Sequence, residues 1–167
     1  MPLPPADSVA TDYPVAPPLQ VSRWFNSAPL TLADLRGRVV VLHAFQMLCP
    51  GCAMQALPQM QRLQQTFPAS RVAVIGLHTV FEHHAVQGPS ALEAFLHEYR
   101  YSFPVGVDAG GASGDPLPQT MRAYAMRGTP TLILIDAQGR LREQHFGGLE
   151  DLALGVAVGT LLGERAR

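Results

Sequence analysis

The feature that most constrains this chain is a segment in which an apolar run meets two cysteines and then a helical pattern. The run Val39–Phe45 is rich in β-branched residues, which indicates a strand buried on both faces. The sequence Cys49-Pro-Gly-Cys52 follows it, and apolar residues then recur at helical spacing, namely Met54, Leu57, Met60 and Leu63. The cysteine pair is therefore predicted where a buried strand turns into the first turn of a helix.

A thiol at such a junction has a chemical advantage. A free cysteine has a pKa of about 8.5, so little of it is thiolate at neutral pH. The start of a helix offers unpaired N–H groups and a partial positive charge, and both favour an anion. Cys49 is therefore predicted to be the better nucleophile, and the spacing lets Cys52 close a disulfide with it. Pro50 suits the first turn, where a backbone N–H has no helical partner.

Other uses of a C-x-x-C pair fit the sequence less well. A structural zinc needs four ligands, and the chain has no second pair of this kind. A purely structural disulfide would close too short a loop to constrain the unfolded chain much. Redox chemistry is the favoured interpretation, so no metal and no cofactor is expected beyond the redox-active disulfide Cys49–Cys52.

Size and charge limit the possible partners. A chain of 167 residues that is 47% hydrophobic and 15% charged can bury the core of one globular domain. Its net charge of −1 argues against nucleic acid as a main partner. The longest apolar run near the C-terminus, Leu152 to Gly163, is too short to cross a bilayer. No membrane span is therefore expected, and the protein is expected to be a monomer.

The first 19 residues form a segment of their own in the sequence. Residues 1–19 are rich in proline, which predicts an extended arm lying on the surface or partly disordered, followed by a single domain over residues 20–167. The arm has no basic stretch followed by an apolar one, as a secretory signal would. The cytoplasm is therefore the expected compartment, with the periplasm or cell envelope as the alternative if a leader has been removed.

The remaining patterns predict an α/β domain. Short strands or a hairpin are expected at Val21–Phe25 and Leu30–Leu32, then a single helical turn closed by Gly37. Further strands are expected near residues 71–78, 103–108, 131–136 and 140–146, the last two as a hairpin. Helices are expected from Ser90 as N-cap, over residues 119–126 and over residues 149–162. This order gives a mixed central β-sheet with helices on both faces.

Several motifs together resemble the thioredoxin-fold superfamily, and within it the TlpA/ResA-like thiol–disulfide oxidoreductases of the redoxin group. They are the segment Leu30 to Leu42, the Cys49-Pro-Gly-Cys52 pair, Phe103-Pro-Val before Asp108, and Gly128-Thr-Pro-Thr131. Each is weak singly, but the combination is specific and extends from about residue 20 to the end. The resemblance implies a thioredoxin-like fold with an N-terminal extension and a strand–helix insertion at residues 79–89.

The resemblance also implies roles for residues far from the cysteines. The proline matching Pro130 is cis in that family and faces the cysteine pair, with Pro50 and Gly51 between the two thiols. The backbone of Thr129 would then lie beside the disulfide, where an extended substrate segment could pair with it. The alternative is that Pro130 only begins a strand.

Two residues depart from the family pattern. Leu48 stands where tryptophan commonly precedes the first cysteine, and His43 stands where a buried Asp or Asn is usual. His43 could accept the proton of Cys52 or tune thiolate stability, or it could be a neutral buried histidine bonded to a backbone carbonyl. These two readings stay open. His78, His83 and His84 with Glu82 suggest a metal site only weakly, because their spacing does not force them together.

The sequence therefore predicts a thiol–disulfide oxidoreductase acting through Cys49 and Cys52. Its partners would be a protein that bears a disulfide or a dithiol, and a thiol protein that donates or accepts electrons. A thiol-dependent peroxidase of the AhpC/TSA type is the alternative enzyme, weakened because Leu42 and Gln46 replace the peroxide-activating Pro and Thr/Ser. A non-catalytic thioredoxin-fold binding module is the alternative outside enzymes.

Overall fold

A computed structural model of the protein describes residues 12–165, and side chains up to residue 164. Six strands form one mixed sheet: β1 Val21–Phe25, β2 Val39–Phe45, β3 Val72–His78, β4 Val105–Asp108, β5 Thr131–Ile135 and β6 Leu141–Phe146. Four helices accompany it: α1 Leu57–Thr66, α2 Pro89–Glu98, α3 Gln119–Ala123 and α4 Asp151–Arg165. The predicted fold class, a thioredoxin-like α/β domain, is confirmed.

The strand order in the sheet is β1-β4-β3-β2-β5-β6. Strand β2 lies at the centre, parallel to β3 and antiparallel to β5. All seven residues of β2 and of β3 are buried, which agrees with their continuous apolar runs. Strands β5 and β6 pair as the predicted hairpin. Because β2 and β3 are parallel, the segments that follow Phe45 and His78 emerge at the same edge of the sheet.

The two faces of the sheet are covered differently. On one face, alternate residues of β2 pack with the apolar sides of α1, α2 and α4, including Leu57, Leu92 and Leu154. On the other face, Met121 of α3 and Tyr124, the residue that follows α3, pack beside non-helical segments. Helices therefore lie on both faces as predicted, but the second face is covered largely by turns and by the N-terminal segment.

The helix that follows the cysteines contains a π turn. It begins at Pro50, widens into a π turn over Cys52–Ala56 and continues as α1. A π turn holds one residue more than an α-helical turn, and this extra residue rotates the apolar face of the helix. Leu57, Met60 and Leu63 are therefore buried, whereas Met54 is 81% exposed. Met54 has the predicted helical spacing but does not share the buried face, because that spacing assumes an unbroken 3.6-residue period.

Two other local predictions differ from the structure. Leu30–Leu32 is not a strand; it leads into a hydrogen-bonded turn that ends at Gly37, whose φ is +84°. The N-cap of α2 is Gly88 rather than Ser90, because Pro89 already occupies the first helical position. The first error predicts an element that is absent, and the second misplaces the end of a helix, where several residues satisfy the same sequence rule.

The described part of the N-terminal arm lies against the domain. Val15 pairs with Arg140 next to β6, and the backbone N–H of Ala16 donates to the carbonyl of Gly139. The Tyr124 hydroxyl donates to the carbonyl of Pro17 at 2.7 Å. Residues 1–11 of the predicted arm lie outside the described residues. Among the residues that are described, no helix combines the length and apolar character needed to cross a membrane.

Candidate active site

The two cysteines occupy unequal positions at the start of the central helix. Cys49 is the last residue before the helix: its carbonyl accepts the N–H of Ala53 at 3.0 Å, and its own N–H donates to the carbonyl of Gln46 at 3.2 Å. Its side chain is half-buried, whereas Cys52 is fully buried one turn further on. Both are free thiols. A reagent that reaches this site therefore meets Cys49 first.

The loop before β5 lies directly against the cysteine pair. The Thr129–Pro130 peptide bond is cis, as the resemblance implies, and a Cβ added at Gly51 would lie 3.4 Å from Cδ of Pro130. The Sγ of Cys49 donates to the Thr129 carbonyl at 3.5 Å. The predicted site residues Cys49, Gly51, Thr129 and Pro130 are thus brought together from segments about 80 residues apart.

Burial makes the second thiol a weak acid. Removal from water, followed by the adjacent Cys49, raises the pKa of Cys52 to about 12. Hydrogen bonds from the Gln46 backbone and from the Thr129 side chain act in the opposite direction. Cys52 is therefore protonated at neutral pH until exchange changes its surroundings.

An open cleft of about 540 Å³ runs beside Cys49. Its walls come from the cysteine loop, the 79–89 segment, the residues before Pro130 and the end of β6; they include Leu48, Phe81, Glu82, Arg127 and Phe146. The Leu48 side chain is 56% exposed. The Arg127 guanidinium lies 5.4 Å from the Phe146 ring centre. The cleft thus offers apolar and charged contacts to a substrate segment next to the nucleophile.

Sequence reasoning missed the residues that organise the floor of this cleft. Gln46 and Gln87 are almost fully buried, and their side chains are hydrogen-bonded to each other at 3.3 Å. A polar residue directly after a buried strand is a signal that could have pointed to Gln46. Gln87 lies in a loop with no periodic pattern, and no feature of the sequence marks it.

His43 lies on β2, on the face that packs against α1, and is 2% exposed. Its partner is the side chain of Gln59, with Nε2 and Oε1 3.3 Å apart, and its Nδ1 has no hydrogen-bond partner. Burial lowers the pKa of His43 to about 4. The histidine is therefore neutral at pH 7, and the partner is a glutamine rather than the backbone carbonyl expected for the neutral alternative.

The three histidines that suggested a metal site are separated in the structure. His78 is buried at the end of β3, where its Nε2 accepts the N–H of Met47 at 3.4 Å. His83 and His84 are exposed in the 79–89 segment, His84 within a 3₁₀ turn. Within residues 12–165, no cluster of three or more His, Cys, Asp or Glu side chains is placed to hold a metal ion.

The fold, the cysteine pair at a helix start and the Thr-Pro loop facing it define the thioredoxin-fold class of proteins with a redox cysteine pair. A comparison with protein families agrees with this class. The sequence profile of the AhpC/TSA family matches residues 15–144. The chain belongs to the AhpC/TSA family.

Individual relatives make the likeness more specific. A crystal structure described as a thioredoxin-like superfamily protein is 58% identical, with a TM-score of 0.87, and the match covers 89% of this chain and 96% of that one. The structure of a thiol-disulfide isomerase from Corynebacterium glutamicum is 46% identical, with a TM-score of 0.86 and coverage of 90% and 97%. These likenesses confirm the predicted resemblance to thioredoxin-fold thiol–disulfide exchange proteins.

Among curated proteins, the thiol-disulfide oxidoreductase ResA of Halalkalibacterium halodurans is 27% identical over 122 residues. The match covers 73% of this chain, and the chain spans 61% of the length of that relative. The relative's name agrees with the predicted class of enzyme.

Proposed function

We propose that this protein is a thiol–disulfide oxidoreductase whose reactive centre is the Cys49–Cys52 pair. The observation that supports it most directly is the unequal exposure of two free thiols one helical turn apart beside an open cleft. The half-buried Cys49 can meet a substrate sulfur, while the buried Cys52 can reach only Cys49. Such a division of labour is what two-step thiol exchange requires.

The reaction follows from this arrangement. The Cys49 thiolate attacks one sulfur of a substrate disulfide, a mixed disulfide forms, and the other substrate sulfur leaves as a thiolate that takes up a proton. Cys52 then loses its proton and attacks Sγ of Cys49, which closes Cys49–Cys52 and releases the second substrate thiol. Two electrons pass from the protein to the substrate. The reverse sequence oxidises a substrate dithiol and leaves the pair reduced.

The substrate proposed is a protein segment that bears a disulfide or a dithiol. The Thr129 backbone borders the cleft within reach of Cys49 Sγ, so an extended segment can lie along it as an added strand. Pro130 and Gly51 shape this wall by their contact. A second thiol protein would restore the starting redox state of the cysteine pair.

We propose that the Cys49–Cys52 protein itself acts as a monomer. Light scattering measures its oligomeric state.

The proposed chemistry does not determine the cellular compartment. The relatives described above give no support to the cytoplasmic location predicted from the sequence. Exchange through a cysteine pair operates both in the cytoplasm and in the periplasm or cell envelope, at different redox poise. Fractionation of cells that express the protein from its own gene distinguishes the two locations.

Serine substitution of each cysteine tests the proposed function. The wild-type protein should reduce insulin with dithiothreitol as electron donor, and Cys49→Ser should abolish this activity because the attacking sulfur is lost. Cys52→Ser should instead accumulate a mixed disulfide with the substrate, because the resolving sulfur is missing. Mass spectrometry under non-reducing conditions detects that adduct. A Cys52→Ser protein without any adduct, together with an inactive wild type, would contradict the proposal.

The same samples separate the alternatives. A thiol-dependent peroxidase would consume hydrogen peroxide in the presence of dithiothreitol far faster than it reduces insulin. A binding module would show neither activity, and its cysteine pair would not cycle in glutathione redox buffers. We expect cycling and insulin reduction, with peroxide consumption close to that of the thiol donor alone.

A further inference from the structure

The loop that holds Cys49 is fixed by two buried glutamines rather than by backbone pairing alone. We propose that Gln46 and Gln87, called here the amide pair, are positioning residues through which the 79–89 segment holds Cys49 in its reactive arrangement. This inference rests on the proposed function and assigns a task to the insertion. It names residues outside the predicted site, which consists of the Cys49-Pro-Gly-Cys52 segment, His43 and the Thr129–Pro130 pair.

Gln87 connects the insertion to the residue next to Cys49. Its Oε1 accepts the backbone N–H of Leu48 at 3.1 Å. Its Nε2 donates to the Glu82 carbonyl at 2.9 Å and to Oε1 of Gln46 at 3.3 Å. The side chain is 3% exposed. Without the amide, the Leu48 N–H and the Glu82 carbonyl would lose their partner at partly buried positions, which is costly, whereas Oε1 of Gln46 would keep the Phe81 N–H.

Gln46 joins the cysteine loop to the other two walls of the cleft. Its Oε1 accepts the N–H of Phe81 at 3.3 Å as well as the Gln87 amide, and its Nε2 donates to the Thr129 hydroxyl at 3.3 Å. Its backbone carbonyl accepts the N–H of Cys49. A single residue thus ties the insertion and the Thr129 loop to the nucleophile.

The amide pair therefore couples substrate contact to thiol position. Phe81 and Glu82 line the cleft, and their backbone groups are the ones that bond Gln46 and Gln87. A substrate that rests on these residues presses on the segment that holds the Cys49 loop. Since a shift of about 1 Å in a reacting group can cost on the order of 100-fold in rate, this support governs how fast Cys49 reacts.

Alkylation of Cys49 tests the proposal directly. In a Cys52→Ser background, only Cys49 reacts with iodoacetamide. We expect Gln87→Leu and Gln46→Leu each to lower the second-order rate constant at pH 7 by roughly tenfold, because the loop loses its fixed geometry. Gln59→Leu is the matched control: Gln59 is equally buried, but its side chain bonds Leu149, Asp151 and His43 instead of the cysteine loop. It should leave that rate constant within twofold of the parent.

A conservative variant separates positioning from general loss of stability. The side chain introduced by Gln87→Glu keeps an acceptor for the Leu48 N–H, but when ionised it cannot donate to Gln46 or Glu82. Protonation restores one donor, so the alkylation rate relative to the parent should rise as the pH is lowered from 8 to 5. His78, which also contacts Gln87, remains neutral over that range because burial lowers its pKa to about 4.

The outcomes distinguish this inference from the proposed function. An active wild type whose Gln87→Leu and Gln46→Leu variants alkylate like the parent would overturn the inference and leave the oxidoreductase intact. Equal slowing by Gln59→Leu would also overturn it, since the effect would then follow stability alone. A wild type that neither cycles nor forms adducts would overturn the proposed function first.

Discussion

The polar groups around Cys49 and those around His43 are arranged in opposite ways. Around Cys49, the N–H groups of Met47, Leu48 and Cys49 each have a partner within the fold. On the central strand, the buried His43 has one ring nitrogen with no partner. The first region is a polar network that fixes a loop, and the second is a histidine with one glutamine partner, left incompletely bonded in the core.

The two buried histidines show the difference most clearly. His78 accepts the Met47 N–H through Nε2, so its Nδ1 holds the proton. His43 faces Oε1 of Gln59, whose Nε2 already donates to Leu149 and Asp151, so the Nε2 of His43 must be the donor. The unpartnered Nδ1 of His43 is then a bare acceptor. The two rings are thus neutral in opposite tautomers, and only His78 satisfies a backbone group.

The largest effect expected is one that the two histidines share, namely acid sensitivity of folding. Burial lowers the pKa of each to about 4, below the 6.5 of an exposed histidine, so the unfolded state binds more protons between those values. The part of the free energy of unfolding that depends on these two neutral histidines is therefore present at pH 7 and is lost as the pH falls from 6.5 towards 4. Each histidine should contribute roughly 1.5 kcal/mol of loss between pH 6.5 and 5.

Urea unfolding of wild type, His43→Leu and His78→Leu at several pH values measures this loss. Each substitution should remove about half of the pH-dependent decrease. Asp108, whose pKa is raised by burial, changes stability in the opposite direction but does so equally in all three proteins. If only one substitution changed the slope, the shared burial of the two rings would be refuted.

At pH 7 the His43→Leu and His78→Leu variants should differ in their free energy of unfolding. His78→Leu leaves the Met47 N–H buried without an acceptor, which should lower the free energy of unfolding by about 1–3 kcal/mol. His43→Leu removes an unpartnered nitrogen but also leaves Oε1 of Gln59 without its donor. These two effects oppose each other, so the change should stay within about 1 kcal/mol. The midpoints of urea unfolding at pH 7 report both values. The reverse order would mean that the two environments have been assigned the wrong way round.

The difference between the regions also explains what the sequence could predict. The unbroken apolar runs of β2 and β3, the spacing around the cysteines and the Gly128-Thr-Pro motif determine the sheet and bring Cys49 to Thr129. These features are encoded locally as periodicity and motif, so they are visible in one dimension. The π turn, which exposes Met54, is not visible in the sequence, because it interrupts the 3.6-residue period by which a helix is predicted.

The amide pair illustrates a second limit. Gln46 and Gln87 are 41 residues apart, and each is an ordinary polar residue in a loop by sequence criteria. Their burial follows from the parallel pairing of β2 and β3, which places the two following loops side by side. Side-chain hydrogen bonds between distant loops have no periodicity, so only the three-dimensional arrangement reveals them.

The smallest effect is expected for His43 in the exchange reaction itself. Burial raises the pKa of Cys52 in the reduced protein and lowers the pKa of His43, so transfer of a proton from this thiol to this imidazole is unfavourable at neutral pH. His43→Leu should therefore change the second step of exchange by less than twofold at pH 7. Reaction with 5,5′-dithiobis(2-nitrobenzoate) measures it, since attack by Cys52 on the Cys49 adduct releases the second equivalent of coloured thiolate. A tenfold slower second phase, with the first phase unchanged, would instead assign that proton transfer to His43 and give the core around His43 a function in exchange, as the loop around Cys49 has.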